Sequence, residues 1–566
     1  MKWEKCIVSA LWFVLDSAQA QEPISPPADQ TCQPFFDAKS IHFSHAITPP
    51  ESIPLPLPDD AIVGQIRFRQ FPIFNLDDPA ENNLLFRGAN RFHALSETET
   101  IEVQLLFKQG DHYDVKLLEE SARVLRAKSY LYDAQVFPFR VCGNRVDIMV
   151  ITRDVWTLTP GISFSRAGGV NNKQFLLREN NFLGWGKQVT LSRKETVDRE
   201  GWRFSYKDPN LFGSRLKLSL RYNNNDDGMR QQAALSEPFY ALNTPRAWKL
   251  VADKDDRVDT LYQRGEPVSK FRIEQHRNEV SGGWLAKQEN NRIDRTLVGF
   301  SWYKESNSVS PGEIPPVNFP EDREINQVWL GRQMIEDEFI TLKNFNQLYL
   351  TEDINLGQSW VATLGWADKD WNSDKDRAAL STTIRSVWQI NQRQLLVYRF
   401  ELSGYWLPEE NKGEEVLLSN RFRYYQSSED STGLYLALDL DYVRNLPANQ
   451  QLLLGGEENL RGYPLRYQDG DRRILLTMEK RYYFNKHWYR LFRTGLAIFA
   501  DAGRAWFPNE RNRGATGLLS NIGIGLRLAS SRAEKNLTLH IDLAIPLKKE
   551  DDVDEVQFLV TGKKRF

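Results

Sequence analysis

The chain has 566 residues, enough for more than one domain, and its 73 basic and 75 acidic side chains leave a net charge of −2. This balance argues against a nucleic-acid-binding protein, which usually carries a clear excess of basic residues. The mean hydropathy of −0.52 and the lack of a long apolar segment exclude a bundle of membrane-spanning helices, but not a membrane-spanning sheet.

The first twenty residues have the three-part pattern of a secretory signal peptide. Two lysines precede the apolar run 6–15, and the small residues Ala18 and Ala20 follow it. A membrane-spanning helix needs about twenty apolar residues, and this run is about half as long. We therefore predict a signal peptide at residues 1–20 and export across a bacterial inner membrane.

Residues 21–60 form a proline-rich leader. Proline removes a backbone donor and restricts φ, so this stretch cannot run as a helix or a central strand. The leader contains Cys32, and Cys142 is the other cysteine that remains after the signal peptide is removed. In an oxidising compartment the two can form a disulfide, and the alternative of two buried free thiols stays open.

Residues 61–158 mix helical and strand patterns. The spacing predicts strands at 62–74, 101–107 and 144–153 and helices at 82–92 and 115–128. The segment resembles a polypeptide-transport-associated (POTRA) domain in residues 110–113, 117–121, 125–126 and 153–158. This resemblance covers one such domain and implies an α+β module in the periplasm that receives client polypeptides.

From residue 159 to residue 566, apolar and polar residues alternate. Leu216, Leu218 and Leu220, for example, are separated by polar residues. Such alternation predicts an all-β antiparallel sheet with one polar face. The signal peptide, the 12% aromatic content and the length of the alternating region favour a closed transmembrane β-barrel over a soluble sandwich.

The barrel region resembles the BamA/TamA superfamily of outer-membrane assembly and translocation proteins, also called the bacterial surface antigen family. The resemblance is carried, in chain order, by residues 178–184, 206–213, 454–463, 476–481, 499–503, 523–527 and 540–547. It implies sixteen strands, five of which follow the loop 454–463. Sixteen strands would use about 25 residues each, whereas the count of alternating segments is nearer twenty.

The resemblance gives the loop a structural role inside the barrel. The loop motif consists of Gly455, Gly456, Leu460, Arg461, Gly462 and Tyr463. The resemblance implies that Arg461 reaches inward to Glu479 and Asp501, and a planar guanidinium can bind carboxylates with bidentate geometry. Strand parity places Asp501 with Phe499 on the face opposite Ile498. The loop is therefore predicted to be a plug and brace, although the two carboxylates could be ordinary polar residues of the lumen.

The chain ends on an alternating strand with an aromatic terminus. Phe558, Val560 and Phe566 share one face, a pattern that resembles the signal by which outer-membrane barrels are recognised for insertion. In the assembly-factor subfamily this strand meets the first barrel strand, here near 161–166, at a weakly paired seam to which client strands could add. The expected partners are outer-membrane lipid, unfolded or secreted client polypeptides and periplasmic accessory proteins.

Enzymatic and simple-pore alternatives have little support. The sequence has no nucleophile elbow, zinc motif, phosphate loop or Cys-x-x-Cys, so we predict a protein without catalysis, cofactor or metal. His540 and Asp542 share the predicted lumen face of one strand, but a barrel hydrolase would also need a serine. A dedicated two-partner secretion pore stays open as the alternative function, whereas a passive porin would need no docking domain.

Overall fold

The computed structural model describes residues 32–34, 60–167, 169–343, 351–428, 431–447, 449–456, 460–508, 517–533 and 538–563. The predicted signal peptide, nearly all of the leader and the terminal Phe566 lie outside these residues.

The N-terminal part of the described chain is an α/β domain. Its elements are β1 (Gln33–Pro34), β2 (Ile62–Phe71), α1 (Leu84–Phe92), α2 (Thr98–Glu102), α3 (Val115–Arg126), β3 (Leu131–Cys142) and β4 (Arg145–Asp154). The strands form one sheet in the order β1-β3-β4-β2. Strand β2 is parallel to β4, and β3 is antiparallel to it.

Two of the three helices lie where the sequence predicts them, but the strand predicted at 101–107 is wrong. This run instead contains the end of α2 and the turn after it. Ile101 and Leu105 are four residues apart and both buried, a spacing that one helical turn satisfies. Strand β3 has no counterpart in the sequence prediction because Val136 and Phe137 are both buried, so its apolar residues do not alternate.

The core of the α/β domain lies between α3 and the sheet. Leu118, Ala122 and Leu125 recur at helical spacing on α3 and pack in one cluster with strand residues. A disulfide between Cys32 and Cys142 joins β1 to the end of β3. The bond therefore attaches this short piece of the leader to the sheet.

In the described residues, twenty strands form a closed antiparallel barrel, and the sixteen strands implied by the family resemblance are wrong. The barrel strands are β5 (Leu158–Ala167), β6 (Val170–Phe182), β7 (Lys187–Glu195), β8 (Glu200–Asp208), β9 (Lys217–Asn225), β10 (Gly228–Glu237), β11 (Arg246–Gln263), β12 (Glu266–Glu289), β13 (Arg292–Val309), β14 (Arg323–Glu336), β17 (Ser359–Ala367), β18 (Arg377–Asn391), β19 (Gln394–Leu407), β20 (Lys412–Ser427), β21 (Thr432–Arg444), β24 (Arg472–Trp488), β25 (Phe492–Trp506), β26 (Leu519–Ser530), β27 (Thr538–Pro546) and β28 (Gln557–Lys563). Strands β7, β8 and β9 have only nine residues each, so a strand with its connection often needs fewer than about 25 residues. Among the described strands, five barrel strands follow the loop 454–463, as predicted.

Side chains alternate between the lumen and the outer wall of the barrel. In β25, Phe499 and Asp501 are buried, whereas Ile498, which precedes them on the opposite face, is 49% exposed, as the predicted parity requires. Exposed apolar side chains continue on neighbouring strands, including Leu476, Met478, Ile522, Ile524, Leu543 and Phe558. The outer wall is thus apolar over a wide area.

The α/β domain contacts one end of the barrel, which we call the domain-side rim, and the opposite end is the distal rim. Arg215 Nη2, in the β8–β9 connection, donates to the carbonyl oxygen of Leu105 at 2.6 Å. A hairpin of β15 (Phe339–Lys343) and β16 (Thr351–Asn355) lies at the same rim, where Asp353 binds Arg126 of α3 at 2.6 Å. A second hairpin, β22 (Leu452–Leu454) and β23 (Gln468–Gly470), belongs to the loop between β21 and β24. Each helix in the described ranges is too short or too polar to cross a membrane.

Candidate functional site

The loop between β21 and β24 folds back so that its tip, residues 460–463, lies against the barrel wall. Gly455 and Gly456 have φ angles of 133° and 58°, in the region that favours glycine. A Cβ atom on Gly455 would lie 2.3 Å from the carbonyl oxygen of Pro464. The two glycines therefore permit a turn that a larger residue would block.

Arg461 is 2% exposed and contacts three carboxylates of the barrel wall. Its Nε and Nη2 donate to the two carboxylate oxygens of Asp501, both at 2.8 Å, in bidentate geometry. Its Nη1 donates to Glu479 at 2.8 Å and lies 3.5 Å from Asp542. The guanidinium carbon lies 3.4 Å from the ring centroid of Phe499. The structure thus brings the predicted arginine to both predicted carboxylates and to a third.

The three carboxylates belong to a buried network whose charges balance. Asp542 binds Arg527, which also lies 3.6 Å from Glu479. Arg481 Nε donates to the second oxygen of Glu479 at 3.1 Å. The three acids and three arginines of the network are each at most 5% exposed. Burial of so many charges is tolerated because every acid faces an arginine. The network is also tightly packed, since a Cβ atom on Gly525 would lie 1.8 Å from Asp542 Oδ1.

The rest of the loop tip packs mainly on β26. Gly462 N donates to Asn521 Oδ1 at 3.1 Å, and a Cβ on Gly462 would lie 2.5 Å from Asn521 Cβ. The Tyr463 hydroxyl donates to the carbonyl oxygen of Ser520 at 3.1 Å. Leu460 and Tyr463 are fully buried in an apolar cluster. Polar and apolar contacts therefore fix the tip in one position.

The loop is also tied to turns at the distal rim. Arg466 donates two hydrogen bonds of 2.7 Å to Asp198 in the β7–β8 turn. Tyr467 donates to Asp552 at 2.6 Å, and Arg264 in the β11–β12 turn binds the same carboxylate. These ion pairs are more exposed than that of Arg461 and contribute less, about 0–1 kcal/mol each.

Arg461, Glu479 and Asp501 were predicted to meet, whereas Arg527 and Asp542 were not predicted to be their partners. Both missed residues lie at lumen-facing positions of late strands, so strand parity could have found them. Asp542, the carboxylate that a barrel hydrolase would need, instead contacts two arginines, Arg461 and Arg527. Within the described residues, no group of three or more histidine, cysteine or acidic side chains could hold a metal ion.

The barrel closes between its last and first strands at a thin seam. Val560 of β28 and Arg166 of β5 are the only paired residues there in the described part of the chain. By contrast, β27 pairs with β28 continuously from residue 538 to residue 544. Phe558 is 42% exposed, and Phe566, the third residue of the predicted terminal signal, is not among the described residues.

A segment of the α/β domain, residues 73–100, contacts barrel turns on both sides of this seam, and we call it the strap. On the β28 side, Arg532 in the β26–β27 connection binds Glu81 of the strap. On the β5 side, Glu97 N donates to the carbonyl oxygen of Gly184 in the β6–β7 turn at 3.0 Å. The strap therefore links the β26–β27 connection, near β28, to the β6–β7 turn, near β5, at the domain-side rim.

Replacing Arg532 with alanine is expected to loosen the strap. Arg532 and Glu81 are 4% and 2% exposed, and removing one partner of a buried ion pair costs about 3–5 kcal/mol because the other charge stays buried. Hydrogen exchange followed by mass spectrometry should show faster exchange in residues 73–100. The control Arg490→Ala breaks a more exposed pair with Asp78 and should change exchange little. Equal exchange in Arg532→Ala and the wild type would contradict this role of the pair.

Comparison with known proteins identifies a family for the C-terminal part of the chain. Residues 395–566 match the model of the Omp85 superfamily domain. The match confirms the predicted resemblance to the BamA/TamA superfamily over these residues, which include Arg461 and its three carboxylates. No curated protein matches the sequence.

Solved structures with a similar arrangement include two CdiB proteins and one BamA protein. CdiB from Acinetobacter baumannii aligns at 13% identity over 89% of this chain and 74% of that chain, with a TM-score of 0.44. CdiB from Escherichia coli aligns at 12% identity over 88% and 76%, with a TM-score of 0.45. BamA from Haemophilus ducreyi lacking POTRA domains 1–3 aligns at 13% identity over 89% and 84%, with a TM-score of 0.37. With values this low, the family assignment rests on the match of residues 395–566.

Proposed function

Because residues 395–566 are an Omp85 superfamily domain, we propose that the protein inserts, assembles or translocates polypeptides at a bacterial outer membrane. Its barrel would span the membrane, and its α/β domain would lie in the periplasm as a single POTRA domain. Its role is conformational rather than catalytic, and periplasmic accessory proteins would join it there.

The outer wall of the barrel supports the membrane location. Leu476, Ile498 and Ile524 are 47%, 49% and 52% exposed on adjacent strands. A soluble protein rarely exposes so continuous an apolar surface to water, whereas in a membrane the lipid chains would cover this surface.

The thin seam is the observation that carries the function. In the described chain, neighbouring barrel strands are joined by extended ladders at every junction except that of β28 with β5, where a single residue pair is described. Within the described residues, the backbone groups beside Val560 and Arg166 that have no partner across the seam are a template to which a client strand can add by β-augmentation. The seam would therefore open first when a client arrives.

The α/β domain offers a second edge of the same kind. Strand β2 lies at the edge of its sheet. Its start at Ile62 and Val63 is bonded to residues 110–113, and beyond Val63 its single strand neighbour in the described residues is β4. A client strand that pairs with β2 would be held at the domain-side rim, near the seam. The order of events would be capture on the domain and then addition at the seam.

The Arg461 network supports a brace that keeps the lumen closed while the wall changes. Arg461 joins β24, β25 and β27 through Glu479, Asp501 and Asp542. These are three of the five barrel strands that follow the loop. These strands would then move as one body when β28 separates from β5.

Depletion of the protein followed by a comparison of outer-membrane proteomes tests this function. A loss of many barrel proteins is the expected result. Loss of one secreted protein would instead identify a dedicated secretion pore, and an unchanged proteome would contradict both functions.

A further inference from the structure

Helix α1 presents an apolar face that the rest of the described protein does not cover. Leu84, Leu85 and Phe92 are 81%, 69% and 83% exposed. Together with Gly88 they lie on one side of the helix, at i, i+1, i+4 and i+8, while Phe86 points inward and is 5% exposed. Three large apolar side chains on a nine-residue helix are more than the scattered exposure normal for a soluble surface.

The buried side of α1 fixes the helix at the barrel rim. Phe86 stacks on Phe74 with ring centroids 3.9 Å apart. Both rings pack in one cluster with Leu491, which lies in the turn between β24 and β25. The strap contacts described above hold the same segment to the β26–β27 connection. The helix therefore cannot move away from the barrel wall without breaking buried contacts.

The neighbours of Leu491 on the barrel are exposed aromatic residues. Trp488 and Phe492 are a directly paired couple at the ends of β24 and β25, 41% and 44% exposed. Tyr489, between them, is 79% exposed. Aromatic residues at this position on a barrel mark the level of the lipid headgroups, so α1 lies at that level too.

The charges on α1 favour phospholipid over an apolar peptide as the occupant of this face. Arg87 and Arg91 are exposed on the same short helix. α1 itself carries no acidic residue. Arginine stems can lie along an apolar surface while their guanidinium groups reach phosphate, and such a mixture of residues is typical of helices that lie in a membrane interface.

We propose that α1 is an interfacial anchor that inserts Leu84, Leu85 and Phe92 among the lipid chains of the leaflet on the domain side, with Arg87 and Arg91 bound to lipid phosphates. The proposal rests on the proposed function, because the barrel must span the bilayer. The anchor would hold the strap, and with it the domain-side end of the seam, at the membrane surface.

Quenching by brominated lipids tests the anchor in the full-length protein. Single variants Leu85→Cys and Phe92→Cys would be labelled with an environment-sensitive fluorophore and reconstituted into phosphatidylethanolamine and phosphatidylglycerol vesicles, with the Cys32–Cys142 disulfide left oxidised. We expect about twofold quenching by brominated chains, since interfacial helices bury their apolar face about 5–10 Å deep. The control variant Gln65→Cys, at an exposed position near the start of β2, should not be quenched.

A fourth variant, Ile498→Cys on the outer wall of the barrel, separates failure of the anchor from failure of the barrel. Quenching at Ile498→Cys without quenching at positions 85 and 92 would overturn the anchor and leave the proposed function standing. No quenching at position 498 would overturn both. Shielding of positions 85 and 92 only after an unfolded client peptide is added would assign this face to the client and would also overturn the anchor.

Discussion

The Arg461→Ala variant is expected to release the loop tip from the lumen while the barrel stays folded. The substitution leaves Glu479, Asp501 and Asp542 buried with one positive charge fewer, which costs about 3–5 kcal/mol, and the loop can relieve part of this cost by admitting water. Protease should then cut the loop in intact vesicles, and client assembly should fall. The unheated protein should still migrate faster than the boiled protein on gels, as closed barrels do.

Two control variants make this test specific. Arg461→Lys keeps the charge but loses the bidentate geometry, so we expect an intermediate result. Arg466→Ala removes a more exposed ion pair of the same loop, with Asp198, and should behave like the wild type. If Arg461→Ala keeps wild-type protease resistance and client assembly, the loop motif is incidental.

A disulfide across the seam is expected to abolish client insertion. Val560 and Arg166 are direct partners in the structure, and the about 4.5–5.5 Å between paired antiparallel Cα atoms suits a disulfide. When the double variant Val560→Cys and Arg166→Cys is oxidised, client insertion should fall to the level seen in depleted cells, because β28 and β5 can no longer separate. Added reductant should restore insertion.

The same lock distinguishes lateral insertion from passage along the barrel axis. A secretion pore that exports its client through the lumen would continue to work with the seam locked. As a control, Leu220→Cys and Ala233→Cys would lock β9 to β10, which are already joined by an extended ladder, and should have no effect. Wild-type protein with reductant controls for opening of the Cys32–Cys142 disulfide.

The late part of the barrel was the most predictable region. Alternation alone places Ile498 outside and Asp501 inside, because successive side chains of a strand must point to opposite faces. The resemblance to a known superfamily added the pairing of Arg461 with Glu479 and Asp501, and the structure brings these groups together. The resemblance implied the wrong number of strands, because several barrel strands with their connections use fewer residues than a sixteen-stranded barrel would allow for each.

Residue periodicity was therefore enough to predict which residues face the lumen and where the two main helices of the α/β domain lie, whereas the position of Arg461 inside the barrel was implied by the family resemblance. The tertiary structure was needed to show that Arg527 and Asp542 complete the network, that Glu81 meets Arg532 and that β28 and β5 pair at a single position among the described residues. The physical reason is that periodicity is a local property of the chain. Register and closure depend on contacts between distant segments, such as the 451 positions that separate Glu81 from Arg532.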